Sequence, residues 1–176
     1  MAVQKVFKVV EDPGCAIIAR VEDRTTSSMT AAIAKGEPLK TRTVQNSAAT
    51  DLIPVGDGDP EIAVDDFIGI ANSASTEAAA TTEGVVEVIL CKGSTFIRGK
   101  ATTFANIDTQ AEIDVLLFAW VTFDVTALTN TNGDFTVDEN ETLDSNVNGL
   151  QIMRGDPVLG TLDVRVHSLI LDAYVA

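Results

Sequence analysis

What this 176-residue chain lacks narrows its chemistry first. It holds one histidine, His167, and two cysteines, Cys15 and Cys91, without CxxC spacing. A zinc site needs clustered His and Cys ligands, and a thiol nucleophile needs a base beside it; the sequence supplies neither pattern. There is no serine elbow, and Gly56-Asp57-Gly58 and Gly93 fit no P-loop or dinucleotide fingerprint. His167 falls on the polar side of its strand pattern, which favours a surface role. The two cysteines read as reduced, partly buried thiols packing as small hydrophobes. The longest apolar run, Val115 to Val121, is too short to cross a bilayer. The opening MAVQKVFKVVEDPG lacks the long apolar core of a signal peptide. The expectation is a soluble protein made in a cytoplasm, with no membrane partner and no cofactor.

Cations are scarce as well. Twelve Lys and Arg face 26 Asp and Glu, a formal charge of −14. Residues 101–176 carry only Arg154 and Arg165. Such a field repels phosphate backbones, and the densest basic cluster, Lys92, Arg98 and Lys100, is small, so no nucleic-acid partner is expected. A face built from the C-terminal part should be strongly negative and should discourage self-association through that face.

What is present favours strands. Hydrophobic residues make up 45% of the chain, mostly Ala, Val, Ile and Leu, and the mean hydropathy of +0.19 argues against disorder. Val3 to Val10 reads as a first strand ended by Asp12-Pro13-Gly14, and Cys15 to Val21 as a second. SSMTAAIAKG resembles a two-turn helix with Ser27 or Ser28 as cap and Gly36 as left-handed terminator. Leu39 to Val44 is a strand, Gln45 to Pro60 an acidic loop, and Phe67 to Ala71 a short apolar strand. NSASTEAAATTEG reads as a mobile surface loop or a frayed helical turn. Val85 to Cys91 is the clearest buried strand, and STFIR, bracketed by Gly93 and Gly99, another. Thr109-Gln110-Ala111-Glu112 forms a capping box that starts a helix of about two turns.

The strands after that helix alternate cleanly. Val121, Phe123 and Val125 face one way, with Thr122, Asp124 and Thr126 opposite; Phe135 and Val137 repeat the pattern against Asp134, Thr136 and Asp138. A two-residue Asn132-Gly133 turn would place Phe123 and Val125 away from Phe135, because register parity flips every side chain. Burying both sets together demands an odd-length loop or a bulge. A second Asn-Gly precedes LQIM, Gly155-Asp156-Pro157 turns the chain, and Leu162, Val164 and Val166 alternate with Asp163, Arg165 and His167. These elements predict a single mainly β domain over 1–176, a β-barrel or β-sandwich, with one or two short helices at about 28–35 and 110–117.

Paired carboxylates occur at Asp57 and Asp59, Asp65 and Asp66, and Asp138 and Glu139, in turns or at outward strand positions where solvation is expected. Leu128 to Glu139 partly matches a calcium loop, but Leu128 stands where Asp is required and strands flank the segment. No metal or catalytic residue is assigned, and the chain does not read as an enzyme.

GEPLKT, DDFIGIANSAS, EGVVEVILCKGSTFIRGKA, DTQAEID, VTFDVT, FTVDENET and NGLQIMRGDPVLGTLDVRV together resemble decoration, or cement, proteins of tailed-phage and prophage heads. The resemblance covers nearly the whole chain and rests on framework strands and turns, so no functional residue carries over. It implies a virion protein on the capsid exterior, assembled in the host cytoplasm. Its partners would be an HK97-type major capsid protein and itself, often as a homotrimer. The apolar termini, Val3, Val6, Phe7, Val9, Leu169 and Tyr174, are candidate partner contacts, with an N-terminal arm or strand engaged in assembly. A tail-fibre or adhesion module and a head-completion or tail-tube subunit are the alternatives.

Overall fold

The computed structural model describes residues 8–11, 16–21, 33–41, 51–55, 67–76, 84–91, 94–126, 134–140 and 149–166. Five strands pair in a ring: β2 (Ala16–Val21), β3 (Pro38–Thr41), β4 (Asp51–Pro54), β5 (Phe67–Ala71) and β6 (Gly84–Leu90). The order β2-β4-β3-β5-β6 closes on itself through the antiparallel β2–β6 pair. A small barrel results, filled by Ile33, Leu39, Leu52, Ile68, Ala71, Val86 and Val88.

The other strands form a six-stranded sheet in the order β1-β7-β11-β10-β8-β9. They are β1 (Lys8–Glu11), β7 (Phe96–Lys100), β8 (Trp120–Thr126), β9 (Asp134–Asp138), β10 (Leu150–Asp156) and β11 (Thr161–Val166). The sheet curls until the end of β7 meets its far edge. Ala101 bridges Val137 in parallel, and the Thr102 amide donates to the Val137 carbonyl at 3.0 Å. That pairing covers an edge which would otherwise expose unmet backbone groups. The inside holds Ile97, Val121, Phe123, Phe135, Val137, Leu150, Ile152, Leu162 and Val164.

Barrel and sheet share β5. All five of its residues are buried. Ile68 and Ala71 face the barrel interior, whereas Phe67 and Ile70 join the sheet core. A register irregularity opposite Leu39 and Lys40 shifts the strand's alternation. Phe67 meets Phe123 with ring centroids 5.8 Å apart and planes at 51°, a favourable tilted geometry. Gly69 is pressed so closely onto β6 that an added Cβ would lie 2.1 Å from the Ile89 carbonyl oxygen.

The helix α1 (Gln110–Leu116) starts at the expected capping box. The Glu112 amide donates to the Thr109 hydroxyl at 3.3 Å, and the Thr109 amide to the Glu112 carboxylate at 3.0 Å. Ile113 then plugs the curled sheet against Gly155 and Leu162. The hairpin register is also as parity required. Phe123 pairs with Val137 and Val125 with Phe135, and Thr126 opposite Asp134 leaves residues 127–133, an odd number, between them.

Five expectations need correction, one of them the solvation of Glu139, which is buried. Gln45 to Pro60 contains a strand, β4, where a loop was predicted, because Leu52 fills the barrel. Thr122 and Thr136 are buried rather than outward; the Thr136 hydroxyl lies 2.8 Å from that of Thr102, whose segment packs beside β9. The STFIR strand continues through Gly99 to Lys100, since β11 pairs with it that far. Ile33, Ala34 and Lys35 are not helical, although Gly36 takes the expected left-handed φ of 93°; residues 28–32 of the helix expected at 28–35 lie outside the described residues. A 3-10 turn at Phe104–Asn106 carried no sequence signal.

Gly69→Ala should destabilise the fold by about 3 kcal/mol, because a methyl group would collide with backbone that cannot rotate away. Urea unfolding should show a lower midpoint at unchanged slope; an unaltered midpoint would contradict the dual burial of β5.

Candidate interaction surface

The segment after β7 is anchored by one buried carboxylate. Glu139 accepts from the amides of Thr102 and Thr103, both at 2.9 Å, and from the side-chain amides of Asn106 at 3.2 Å and Asn140 at 3.1 Å. A carboxylate meeting several donors replaces the water it has lost; it partners the Thr103 amide and shares the Thr102 amide with the Val137 carbonyl. The partial calcium-loop pattern therefore ends in a glutamate already occupied by the protein's own donors, and the Asp138 carboxylate accepts from the Asn140 amide at 3.0 Å. Among the described residues, no three His, Cys, Asp or Glu gather as a metal site.

This anchor presents Phe104, 53% exposed, over the turn between β10 and β11. Gly160 in that turn has φ of 60°, and a Cβ there would lie 2.6 Å from the Phe104 ring, so glycine is required both for backbone and for space. The Asp156 carboxylate accepts from the amides of Val158 and Leu159, each at 2.9 Å, and the Lys100 ammonium donates to the Leu159 carbonyl. The turn is thus tied at both ends, yet Val158 is 87% and Leu159 53% exposed. Phe104, Val158 and Leu159 form a firm apolar corner. Just past α1, Phe118 is 61% exposed and sits at φ of 67°, unusual for a bulky residue. Its amide donates to Ile152 at 2.8 Å and its carbonyl accepts from Gln151 at 3.0 Å, which hold that conformation.

The outer face of the sheet is charged. Asp163 of β11 is almost fully buried beneath Arg98 and Arg154, whose side chains remain 39% and 44% exposed. Arg98 makes a two-pronged pair with it, at 2.6 and 2.9 Å, and Arg154 adds a second ion pair. Burial pushes the Asp163 carboxyl up, but hydrogen bonds and charge from the two arginines outweigh this and hold it below the usual carboxylate range. Arg154 also lies over the Phe96 ring at 5.2 Å, and Arg165 donates twice to Gln151, at 2.9 and 2.6 Å.

Of the terminal residues proposed as partner contacts, Val9 is described. It pairs with Ile97 and packs partly against the sheet core, which is burial within the chain. Val3, Val6, Phe7, Leu169 and Tyr174 lie outside the described residues, as do His167, Cys15 and the acid pairs at Asp57 and Asp65. Cys91 is buried, and burial pushes its thiol up to about 12, which suits packing rather than reaction. Among the described residues no helix is long and apolar enough to cross a membrane. The apolar corner went unnoticed in the sequence, although Val158-Leu159 between Pro157 and Gly160 is an uncommon pair for a turn.

Compared with known proteins, the chain matches no family model, no curated protein and no solved structure.

Two outcomes follow for the buried carboxylates. Glu139→Ala should cost about 1–3 kcal/mol by stranding the Thr103 amide, readable as a lower unfolding midpoint. Asp163, with its folded pKa below the unfolded one, contributes stability that is present above the unfolded value and lost as pH falls through the folded one. Asp163→Asn should therefore be less stable at neutral pH, by about 1–3 kcal/mol, yet lose less on acidification below about pH 4. Parallel acid profiles for both proteins would refute that role.

Proposed function

We propose that the chain is a virion structural protein of the decoration type, binding the outer surface of a tailed-phage capsid and stabilising the shell through subunit contacts. The observation that carries this reading is the apolar corner of Phe104, Val158 and Leu159, held out from a stiff β body by Glu139, Asp156 and Lys100. Large apolar side chains left in water on fixed backbone are characteristic of surfaces that meet another protein. The sequence resemblance names the kind of partner, a major capsid protein, and the virion as its place of action.

The physical task fits the architecture. A shell under internal pressure is reinforced by the same contact repeated many times, so each copy must bring its surface in a fixed shape. Two strand systems joined through β5 give that fixity without a reactive group.

Purified protein added to undecorated capsids should bind saturably and raise the temperature at which the shells open. Replacing Phe104, Val158 and Leu159 together by Ser should weaken binding by at least about tenfold while leaving the melting temperature of the free protein unchanged. Failure of the wild-type protein to bind such shells, with no gain in resistance to heat or chelator, would end this reading.

A further inference from the structure

Residues 101–153 contain no Lys, Arg or His, and nine acids. Against that background, five cations stand on one surface. Lys8 of β1 pairs with Arg98 of β7, Arg98 with Asp163 of β11, and Asp163 with Arg154 of β10. Lys100 and Arg165 lie two residues along the same strands, on the same side. The inward neighbours, Ile97, Leu162 and Val164, fill the core, which fixes the cations outward.

We infer that this outer face of β1, β7, β11 and β10 is where the chain receives the acidic α1 surface of a second copy of itself. The assignment rests on the reading of the chain as a repeated shell-bound subunit and deepens it by naming the surfaces through which subunits meet. The complement is on the same molecule. Asp108 and Asp114 are exposed, Glu112 is half-buried, and no cation lies on or near α1 in sequence. The two surfaces cannot satisfy each other within one chain, because Ile113 seats α1 against the inner side of β10, at Gly155, while Arg154 stands on its outer side.

Charge selects this pairing over the others. Two copies at −14 repel through like faces, so the cationic face meeting the acidic helix is the attractive approach. A contact between different surfaces is head-to-tail and closes into a ring or extends, according to its rotation. The same overall charge opposes a polyanion such as DNA. The arginines are also prepared for a partner. Arg98 and Arg154 are fixed by Asp163, and Arg154 by the Phe96 ring, so little side-chain freedom is lost on docking.

Sedimentation velocity at low and high salt tests the assignment. Wild-type protein should associate at low salt and dissociate as salt rises. Lys8→Glu spares both the Asp163 cluster and the Lys100 tie to the Leu159 carbonyl, and Asp108→Lys with Asp114→Lys spares the capping box; each variant alone should associate at least about tenfold more weakly, and an equimolar mixture of the two should recover association. Wild-type protein that stays monomeric at low salt would overturn the assignment, as would variants that associate normally, a mixture that stays apart, or duplex DNA captured by the cationic face instead. Binding to bare capsids, measured in parallel, separates the two ideas. Association without shell binding removes the decoration reading alone, whereas shell binding with normal association in both variants removes this one alone.

Discussion

Strand β5 is the constraint on which the rest of the structure depends. A strand buried on both faces serves two cores at once, and β5 does so within five residues. Two features make this possible: the irregularity that shifts its alternation, and Gly69, whose missing side chain lets β5 lie against the Ile89 carbonyl. Phe67 then reaches Phe123 across the boundary. Because the same backbone carries both contacts, sliding the barrel over the sheet would break packing on both sides. Close-packed interiors resist such small displacements, so the two strand systems behave as one body.

Within that body, buried charge is used to hold segments that hydrophobic packing cannot. The turns carrying Phe104 and Leu159 bury little of their own apolar surface, so burial alone would leave them loose. Glu139 and Asp163 solve this differently. Glu139 gathers neutral donors and fixes the backbone after β7. Asp163 gathers two guanidinium groups and fixes side chains on three adjacent strands. Removing water from a carboxylate is costly, and each site meets that cost with donors in place on its oxygens.

The parts of the fold that were legible in the sequence depend on neighbours along the chain. The capping box needs only Thr109 and Glu112, and the parity of the hairpin only the alternation of Val121 to Val125 and Phe135 to Val137. What was missed depends on distant partners. Nothing near Asp51 announces a strand until β3 pairs with it, and Thr136 looks solvent-facing until Thr102 arrives from 34 residues away. Glu139 resembled a turn acid for the same reason, and the cations looked sparse because they are spread from Lys8 to Arg165 and converge only in the folded sheet. The interaction surface is made almost wholly of such non-local pairings.

On the proposed reading the two surfaces would divide the physical work of assembly in a way that neither could alone. Half-exposed charges at a contact contribute little affinity, since water and salt screen them, but they discriminate strongly between orientations. An apolar corner does the reverse: it releases water wherever it is covered and has little preference for direction. In a chain of −14, apolar association by itself would be opposed by repulsion in most orientations. With five of the twelve Lys and Arg gathered on one sheet face and none in residues 101–153, repulsion becomes a guide. On the proposed reading it would restrict how neighbouring copies approach while the apolar corner meets the shell, and a protein that repeats the same contact over a closed shell would need that restriction more than strength at any single site.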